Sequence, residues 1–542
     1  MSGRHIVLTG MMGSGKTAVG ERLARCLGLP FYDADALLEA EAGQRIADLF
    51  AGEGEARFRS LERQLIARLL ARPPGVIATG GGAFVDPENR NRLRAAGTVV
   101  SLLAPPEVLL ARVLPAADRP LLKGPDPLGR LRALLAVRLP AYAEAHHLLD
   151  TSDRTPDEVA DLLRRLLQSR EPAARQTVHV GLGERAYDVL IGSRVLEEAG
   201  EKCRALGVTG RVAIVADESV APLYAVAVEE ALRGAGYEPA RIEVPAGEAS
   251  KSLERAASLY EALLDAGLDR HGAVLALGGG VIGDLAGFVA ATFLRGIAYF
   301  QIPTTLLAQV DSSVGGKVGI NLPRGKNLVG AFHQPRAVLS DVACLRSLPL
   351  RQLRAGLAEV VKYGVVADAA LFAWLEDQVE PLLAAEERAL VEAVAASCRI
   401  KARMVEVDER DAGPRAVLNF GHTVGHAIEA ATGYGRYLHG EAVALGMLFA
   451  AELSVRLGLC ARSVRDRLAD LLGRLGLPGR ASLRLKDIEN SMYYDKKMKD
   501  SVNYFVLTKD IGSVTVAPVS DREALRETLA TLVSPPAGEP HA

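Results

Sequence analysis

The chain has no excess of either charge, no apolar run long enough for a membrane and no cysteine pattern, and each absence closes off a class of function. With 64 basic and 66 acidic side chains in 542 residues the formal net charge is -2, so no overall field favours nucleic acid or an anionic membrane as a partner. Cys26, Cys203, Cys344, Cys398 and Cys460 are odd in number, scattered and without a CxxC pair. That argues against a disulfide framework and a thiolate zinc site, and it suits a reducing, cytoplasmic compartment. No apolar stretch reaches the ~18 residues of a membrane span. The N-terminal run His5-Ile-Val-Leu-Thr9 is too short for a signal peptide. Lysine is scarce as well, 13 against 51 arginines. Arginine is therefore the generic surface cation, and a lysine stands out as placed for its compact charge and movable pKa.

What is there, 49% apolar and 24% charged residues, is the make-up of an ordinary globular protein long enough for two to four domains. His5–Thr9 reads as a buried strand running into Gly10-Met-Met-Gly13-Ser14-Gly15-Lys16-Thr17, after which residues 18–27 have helical periodicity. This is a GxxxxGKT loop in strand, loop, helix order. Backbone N–H groups of Gly13, Ser14 and Gly15 would surround the phosphates of ATP at a helix N-terminus, with Lys16 at the β- and γ-phosphates and the Thr17 hydroxyl on Mg2+.

The loop alone says only nucleotide. It is followed by Asp33-Ala-Asp35, Gly54-Glu-Ala-Arg-Phe58-Arg59, Thr79-Gly80-Gly81-Gly82, Arg119-Pro-Leu-Leu122, and Arg138 with Tyr142. On these motifs residues 1–168 resemble shikimate kinase. The resemblance implies a P-loop fold of the nucleoside monophosphate kinase type with a parallel sheet, and ATP-dependent phosphorylation of shikimate. It links Asp33 to Mg2+ and gives Asp35 the attacking hydroxyl. It places Arg59 and Arg138, with the Gly81 backbone, on the substrate carboxylate, and Arg119 on a closing lid. The residue types suit the chemistry. Phosphoryl transfer is mostly positioning and charge stabilisation, and a small carboxylate calls for planar arginine forks.

After an amphipathic run at 156–167, residues 169–176 lose their apolar period and read as a linker. Alternating residues at 178–181 and 187–191 predict a hairpin that opens a second unit. A buried strand at 211–215 leads to Asp217, and Glu248 and Lys251 follow a second strand. The strand 273–277 then runs into Gly278-Gly279-Gly280-Val-Ile-Gly283-Asp284 and a helical run, an order in which a dinucleotide pyrophosphate meets a helix N-terminus. Gln301 stands near where a ribose-binding acid is expected, which weakens a standard dinucleotide fold. Further on, Glu359 and Lys362 are three apart on one helix face. His422 and His426, four apart, project from one face of a helix, and His439 follows. Spacing leaves two readings open, core histidines satisfied by backbone carbonyls or a metal pair. The third histidine favours metal.

Gly278–Asp284, Asp311-Ser-Ser-Val-Gly-Gly-Lys317, Gly325-Lys326-Asn327, Gly356-Leu-Ala-Glu359-Val-Val-Lys362, Leu418-Asn419-Phe-Gly-His422-Thr-Val-Gly-His426 and His439-Gly-Glu441 occur in that order. Over about 177–530 the chain is similar to 3-dehydroquinate synthase. The resemblance implies an NAD-binding α/β domain at 177–340 and a helical metal- and substrate-binding domain at 341–535. Between them it places Zn2+ or Co2+ on Glu359, His422 and His439. NAD contacts fall on Asp217, Glu248, Lys251, Gly279, Gly280 and Asp284. Lys317, Asn327, Asn419, His426 and Lys496 face the substrate phosphate, with Arg295 reaching across from a second subunit of a homodimer, and Lys326 is a further substrate-binding residue. Lys401 and Arg415 face the carboxylate, and Asp311 and Lys362 the reacting hydroxyls. The implied reaction is closure of a heptulosonate phosphate to 3-dehydroquinate with loss of phosphate. A related sugar-phosphate cyclase, a polyol dehydrogenase and, for the first unit, a regulatory nucleotide-binding module are the competing readings.

Overall fold

The computed structural model describes residues 4–114, 125–168, 174–411, 413–493 and 503–534. Arg119, Lys496 and most of the stretch read as a linker lie outside the described residues. The bulk of the chain separates into two compact units, 1–172 and most of 173–542.

The first unit is built on a parallel sheet of β1 (His5–Gly10), β2 (Phe31–Asp33), β3 (Val76–Ala78), β4 (Gly97–Leu103) and β5 (His147–Asp150), in the order β2-β3-β1-β4-β5. Every residue of the central strand β1 is buried, which is why it reads as an apolar run rather than an alternation. The glycine loop after β1 delivers the chain to the helix Lys16–Leu27. Asp33, the last residue of β2, caps the helix Ala34–Ala42 by accepting from the N–H groups of Asp35 and Ala36. The helix Ile46–Leu70 is broken at Gly54 (φ 82°, ψ 167°), and the part beyond the break carries Arg59 and Glu62.

In the second unit, β6 (Gln176–Val180) and β7 (Tyr187–Gly192) form the expected hairpin, whose first strand starts at the end of the stretch read as a linker. With β8 (Val212–Asp217), β9 (Pro239–Val244), β10 (Ala273–Gly278), β11 (Ala298–Pro303) and, later in the chain, a strand at Ala337–Asp341, they make a seven-stranded sheet that is parallel apart from the hairpin. β8 and β10 are neighbours, so Asp217 and the Gly278–Gly280 turn come together at their carboxyl ends, where open α/β sheets bind ligands. Gln301 is buried within β11 beside Gly283, a packing position and not a strand end. Lys317–Leu322 and Gly325–Phe332 pair as a separate antiparallel ribbon that the motif reading had not predicted.

From Leu350 the unit is mostly helical. The helix His439–Arg456 is buried along nearly its whole length and packs on the helix His422–Ala431. The contact needs Gly446, where a Cβ would sit 1.8 Å from the Gly421 carbonyl oxygen. This approach brings His422 and His439 together. Among the described residues no helix is long and apolar enough to cross a membrane.

Candidate active sites

In the first unit Thr17 Oγ1 donates to Asp33 Oδ2 at 2.8 Å, joining the helix after β1 to the end of β2. The Lys16 ammonium lies back across its own loop, 3.0 Å from the carbonyl oxygens of both Gly10 and Met11. After β3 the Gly80-Gly81-Gly82 turn forms a floor without side chains. The Asp35 carboxylate lies against Gly80, the Arg138 guanidinium against Gly81 and that of Arg59 against Gly82. Tyr142 donates to the Gly81 carbonyl, and Arg59 pairs with Glu62 at 2.8 Å and Glu55 at 3.1 Å. Burial raises the Glu62 pKa, with Arg59 opposing and Asp35 adding to the rise. Burial also works against the Arg59 charge, but Glu62 and Glu55 outweigh it and raise its pKa.

In the second unit Gly280 opens the helix Gly280–Thr292, and a Cβ there would lie 3.0 Å from Ser312 Oγ, so the turn beside it is kept open by a missing side chain. Buried Lys251 pairs with Asp284 and also donates to Asn327 on the ribbon. Burial raises the Asp284 pKa, and the Lys251 charge opposes the rise. Glu248 accepts from Asn321 at 2.7 Å, and Asp217 accepts from the N–H of Ser219 at 2.8 Å.

Asp311 sits in a single π-helical turn, Ala308–Ser312, a rare geometry concentrated at functional sites. Its Oδ1 accepts from Lys401 at 2.7 Å and from the Tyr363 hydroxyl at 2.9 Å. Burial alone would raise the Asp311 pKa, but Lys401 and Lys362 together hold it well below the usual carboxylate range. Lys401 moves down, because burial outweighs the Asp311 charge and Arg415 adds repulsion. Arg415 is buried and donates to the Glu409 carbonyl at 3.1 Å, Lys317 pairs with Asp411, and half-buried Asn419 ends the 3-10 helix Pro414–Asn419. Arg295 is exposed at φ 70°, next to Leu294 at φ 50°. Two consecutive non-glycine residues in the left-handed region are strained, as is common where function constrains a backbone.

Glu359 is fully buried and ion-paired to Lys362 through Oε2. Its Oε1 has no hydrogen-bond partner and faces His422 Nε2 at 3.7 Å and His439 Nε2 at 3.8 Å. A buried carboxylate oxygen left in this way is costly unless a cation joins the group. Glu359, His422 and His439 bring one ligand atom each within 4.8 Å of one another, and so do His426, Glu429 and His439. Burial, with Lys362 and the neighbouring imidazoles, holds the His422 pKa well below its usual value. Burial opposes protonation of His439 too, but Glu429 and Glu359 outweigh it and raise its pKa. The His422 and His426 rings are 5.5 Å apart, yet His422 is buried and His426 exposed, so four-residue spacing puts them on one side of the helix at different depths.

A family model of shikimate kinase matches residues 12–168, and models of the N-terminal and C-terminal parts of 3-dehydroquinate synthase match 241–355 and 356–498. The 3-dehydroquinate synthase of Desulforamulus reducens is 51% identical over 342 residues, 63% of this chain and 95% of that protein. The chain belongs to the 3-dehydroquinate synthase family, with a shikimate kinase unit fused ahead of it. The synthase of Citrifermentans bemidjiense is 49% identical over 353 residues, 65% of this chain and 98% of that one. Among solved structures, a 2-deoxy-scyllo-inosose synthase complexed with carbaglucose-6-phosphate, NAD+ and Co2+ matches at TM-score 0.61 and 26% identity, over 65% of this chain and 99% of that one. The 2-epi-5-epi-valiolone synthase of Streptomyces hygroscopicus, with NAD+ and Zn2+ bound, matches at 0.59 and 28%, over 64% of this chain and 96% of that one.

Within the kinase and synthase units, several residues at the sites went unassigned from sequence. Glu62 follows Arg59 by three residues on one helix, Tyr363 follows Lys362 directly, and Glu429 follows His422 by seven, again on one helix face. Spacing from an assigned residue was the available signal. Asp411, whose carboxylate holds Lys317, and the Glu409 backbone carbonyl, which accepts from Arg415, offered none.

Proposed function

We propose that the chain is a bifunctional enzyme of aromatic biosynthesis. The kinase unit transfers a phosphoryl group from ATP to shikimate, and the synthase unit closes 3-deoxy-D-arabino-heptulosonate 7-phosphate to 3-dehydroquinate with release of phosphate. The observation that carries the synthase reading is 51% identity over 95% of a 3-dehydroquinate synthase, against 26% and 28% for cyclases acting on other substrates. The two reactions are not consecutive, so neither product is passed directly to the other unit.

In the kinase unit Asp35, against Gly80, takes the proton of the attacking hydroxyl, while Arg59 and Arg138, on the next two glycines, fork the substrate carboxylate. Lys16 exchanges its loop carbonyls for β- and γ-phosphate oxygens. Thr17 and Asp33, already hydrogen-bonded, hold the Mg2+ that accompanies ATP. Arg119 is assigned to the transferring phosphoryl group.

In the synthase unit the open turn at Gly279 and Gly280 fits the pyrophosphate of NAD, flanked by Asp217, Glu248, Lys251 and Asp284. The partnerless Glu359 oxygen between two imidazoles fits a divalent ion, Zn2+ or Co2+, on Glu359, His422 and His439. When bound, these groups supply hydride acceptance and return, and Lewis-acid polarisation of substrate hydroxyls. Asp311, with Lys362, contacts the reacting hydroxyls, and the depressed Asp311 pKa keeps it an acceptor. Lys401 and Arg415 take the carboxylate. Lys317, Lys326, Asn327, Asn419 and Lys496 take the phosphate, joined by His426, whose exposure suits a substrate-facing group better than a ligand.

Arg295 completes the phosphate site of a neighbouring subunit in a homodimer. Leu294, Leu322, Leu328, Val329 and Phe332, all exposed on Arg295's turn and the ribbon, support such an interface. The domain limits 1–168, 177–340 and 341–535 and a cytoplasmic setting complete the reading.

The test is the purified chain assayed with each substrate, with and without a chelator. Shikimate-dependent ATP consumption should be lost on chelation and restored by Mg2+. Phosphate release from the heptulosonate should be restored by Zn2+ or Co2+, with no net NADH. Accumulating NADH would point to a polyol dehydrogenase, and ATP binding without turnover to a regulatory module.

A further inference from the structure

We infer that Glu429 is a positioning residue for the metal site, holding His439 in the one tautomer and orientation that turn its Nε2 lone pair toward Glu359 and His422. The inference rests on the metal reading above and assigns a part to a carboxylate that reading does not use. Glu429 is buried and lies on the helix His422–Ala431, two turns beyond His422 on the same face. Its Oε2 is 3.1 Å from His439 Nδ1, while His439 Nε2 faces Glu359 Oε1 at 3.8 Å. Its other oxygen, Oε1, lies 3.6 Å from Lys326 Nζ, and Lys326 in turn sits 4.2 Å above the Tyr434 ring. The carboxylate is therefore fixed on both sides, by an imidazole and by a cation from the ribbon.

A neutral imidazole carries one proton on either nitrogen, and only the Nδ1–H form leaves Nε2 free to coordinate. An acceptor at Nδ1 selects that form. His422 obtains the same service from a neutral group, the Phe420 carbonyl oxygen at 3.1 Å from its Nδ1. His439 obtains it from a carboxylate, which also makes the ring a more basic ligand. Both histidines open their helices, but the His439 side chain is 29% exposed against 11% for His422, so less packing fixes its ring. The charged partner stands where packing is weakest.

The alternative role for Glu429 is as a ligand itself, in the second cluster with His426 and His439. One member of that cluster, His426, is exposed, whereas Glu359 and His422 of the first cluster are buried, which favours the first as the ion site. Glu429→Ala and the isosteric Glu429→Gln, each in the full chain, separate the two roles. Affinity for Zn2+ is read by competition with a chromophoric chelator, the ligand field by the visible spectrum of the Co2+-loaded protein, and integrity by NAD+ affinity and kinase rate. Glu429→Ala should weaken Zn2+ binding about 10- to 100-fold, Glu429→Gln less, with Co2+ band intensities and both integrity controls unchanged. Wild-type Zn2+ affinity in both variants would overturn the inference and leave the metal reading standing. Two ions per wild-type chain and one per variant would overturn it by making Glu429 a ligand. No Zn2+ or Co2+ uptake by the wild type would sink the metal reading and this inference with it.

Discussion

The proposed kinase and synthase sites both gather cations, but cations of different kinds in different surroundings. In the kinase unit the cations at the glycine floor are Arg59 and Arg138, both partly exposed. In the synthase unit they include Lys251, Lys362 and Lys401, which are 5%, 2% and 4% exposed and paired with Asp284, Glu359 and Asp311. Arginine keeps its proton at any accessible pH and presents a planar fork, so it suits gripping a carboxylate. A buried lysine is a point charge whose pKa moves with its neighbours, and it suits a pocket in which protons are redistributed. In a chain where arginine is the default cation, the proposed roles divide along this contrast, grip for the arginines and proton chemistry for the buried lysines.

The sharpest break in the comparison is Glu359→Gln. It removes the charged oxygen between His422 and His439 and leaves Lys362 buried without its partner. Synthase turnover should fall more than about a hundredfold, while kinase turnover of the same sample stays within twofold. Equal loss of both rates would mean that the pockets are not independent. Next in size is Asp311→Asn, which leaves Lys401 without its paired carboxylate and removes a second negative charge near Lys362. Breaking a buried pair costs about 3–5 kcal/mol, and the lower end applies because the Asp311 side chain is 29% exposed. Denaturant unfolding should show the loss in the synthase transition, and adding Lys401→Met should recover part of it. A synthase transition unmoved by Asp311→Asn would refute the buried-pair account.

The same contrast explains what was legible in the sequence. Parallel strands such as β1 and β10 are buried throughout, so they stand out as apolar runs, and the glycine loops after them follow. The scarce lysines pointed to the synthase site because each is a departure from the chain's usual cation. Their partners were harder to see. Asp284 and Asp311 lie inside recognisable motifs, but Asp411 is one acid among 66, and only the fold brings it to Lys317. The ribbon at 317–332 was missed because its second strand exposes most of its residues, including Leu328 and Val329, and shows no alternation. His422 and His426 illustrate the limit of spacing. Four residues put both on one helix side, and depth, set by the Gly446 contact with the next helix, distinguishes them.

In the kinase unit the corresponding change is milder. Arg59→Lys keeps the charge beside Glu62 and Glu55 but loses the fork. The KM for shikimate should rise about tenfold, the worth of one charge-assisted hydrogen bond, with the KM for ATP within twofold and the unfolding midpoint nearly unchanged. A KM change for ATP as large as that for shikimate would place Arg59 elsewhere than on the carboxylate.

The smallest expected effect is a slope with pH, and it runs in opposite directions in the two pockets. Burial raises the Glu62 pKa in the folded kinase unit above its unfolded value, so the folded state binds the proton more tightly. Between those two values stability falls as pH rises, and above the folded value the cost of the buried charge is fully present. The Asp311 pKa is instead depressed on folding, so its contribution is present above the ordinary aspartate range and is lost only as pH falls through the folded value. Wild type and Glu62→Gln, unfolded across pH 4 to 7, should therefore differ in the slope of the kinase transition, wild type losing stability relative to the variant as pH rises. The Asp311→Asn difference in the synthase transition should stay flat over the same range and shrink only in stronger acid. Parallel slopes for wild type and Glu62→Gln would mean that Arg59 compensates the Glu62 charge completely, and the kinase pocket would then be as fully paired as the synthase pocket.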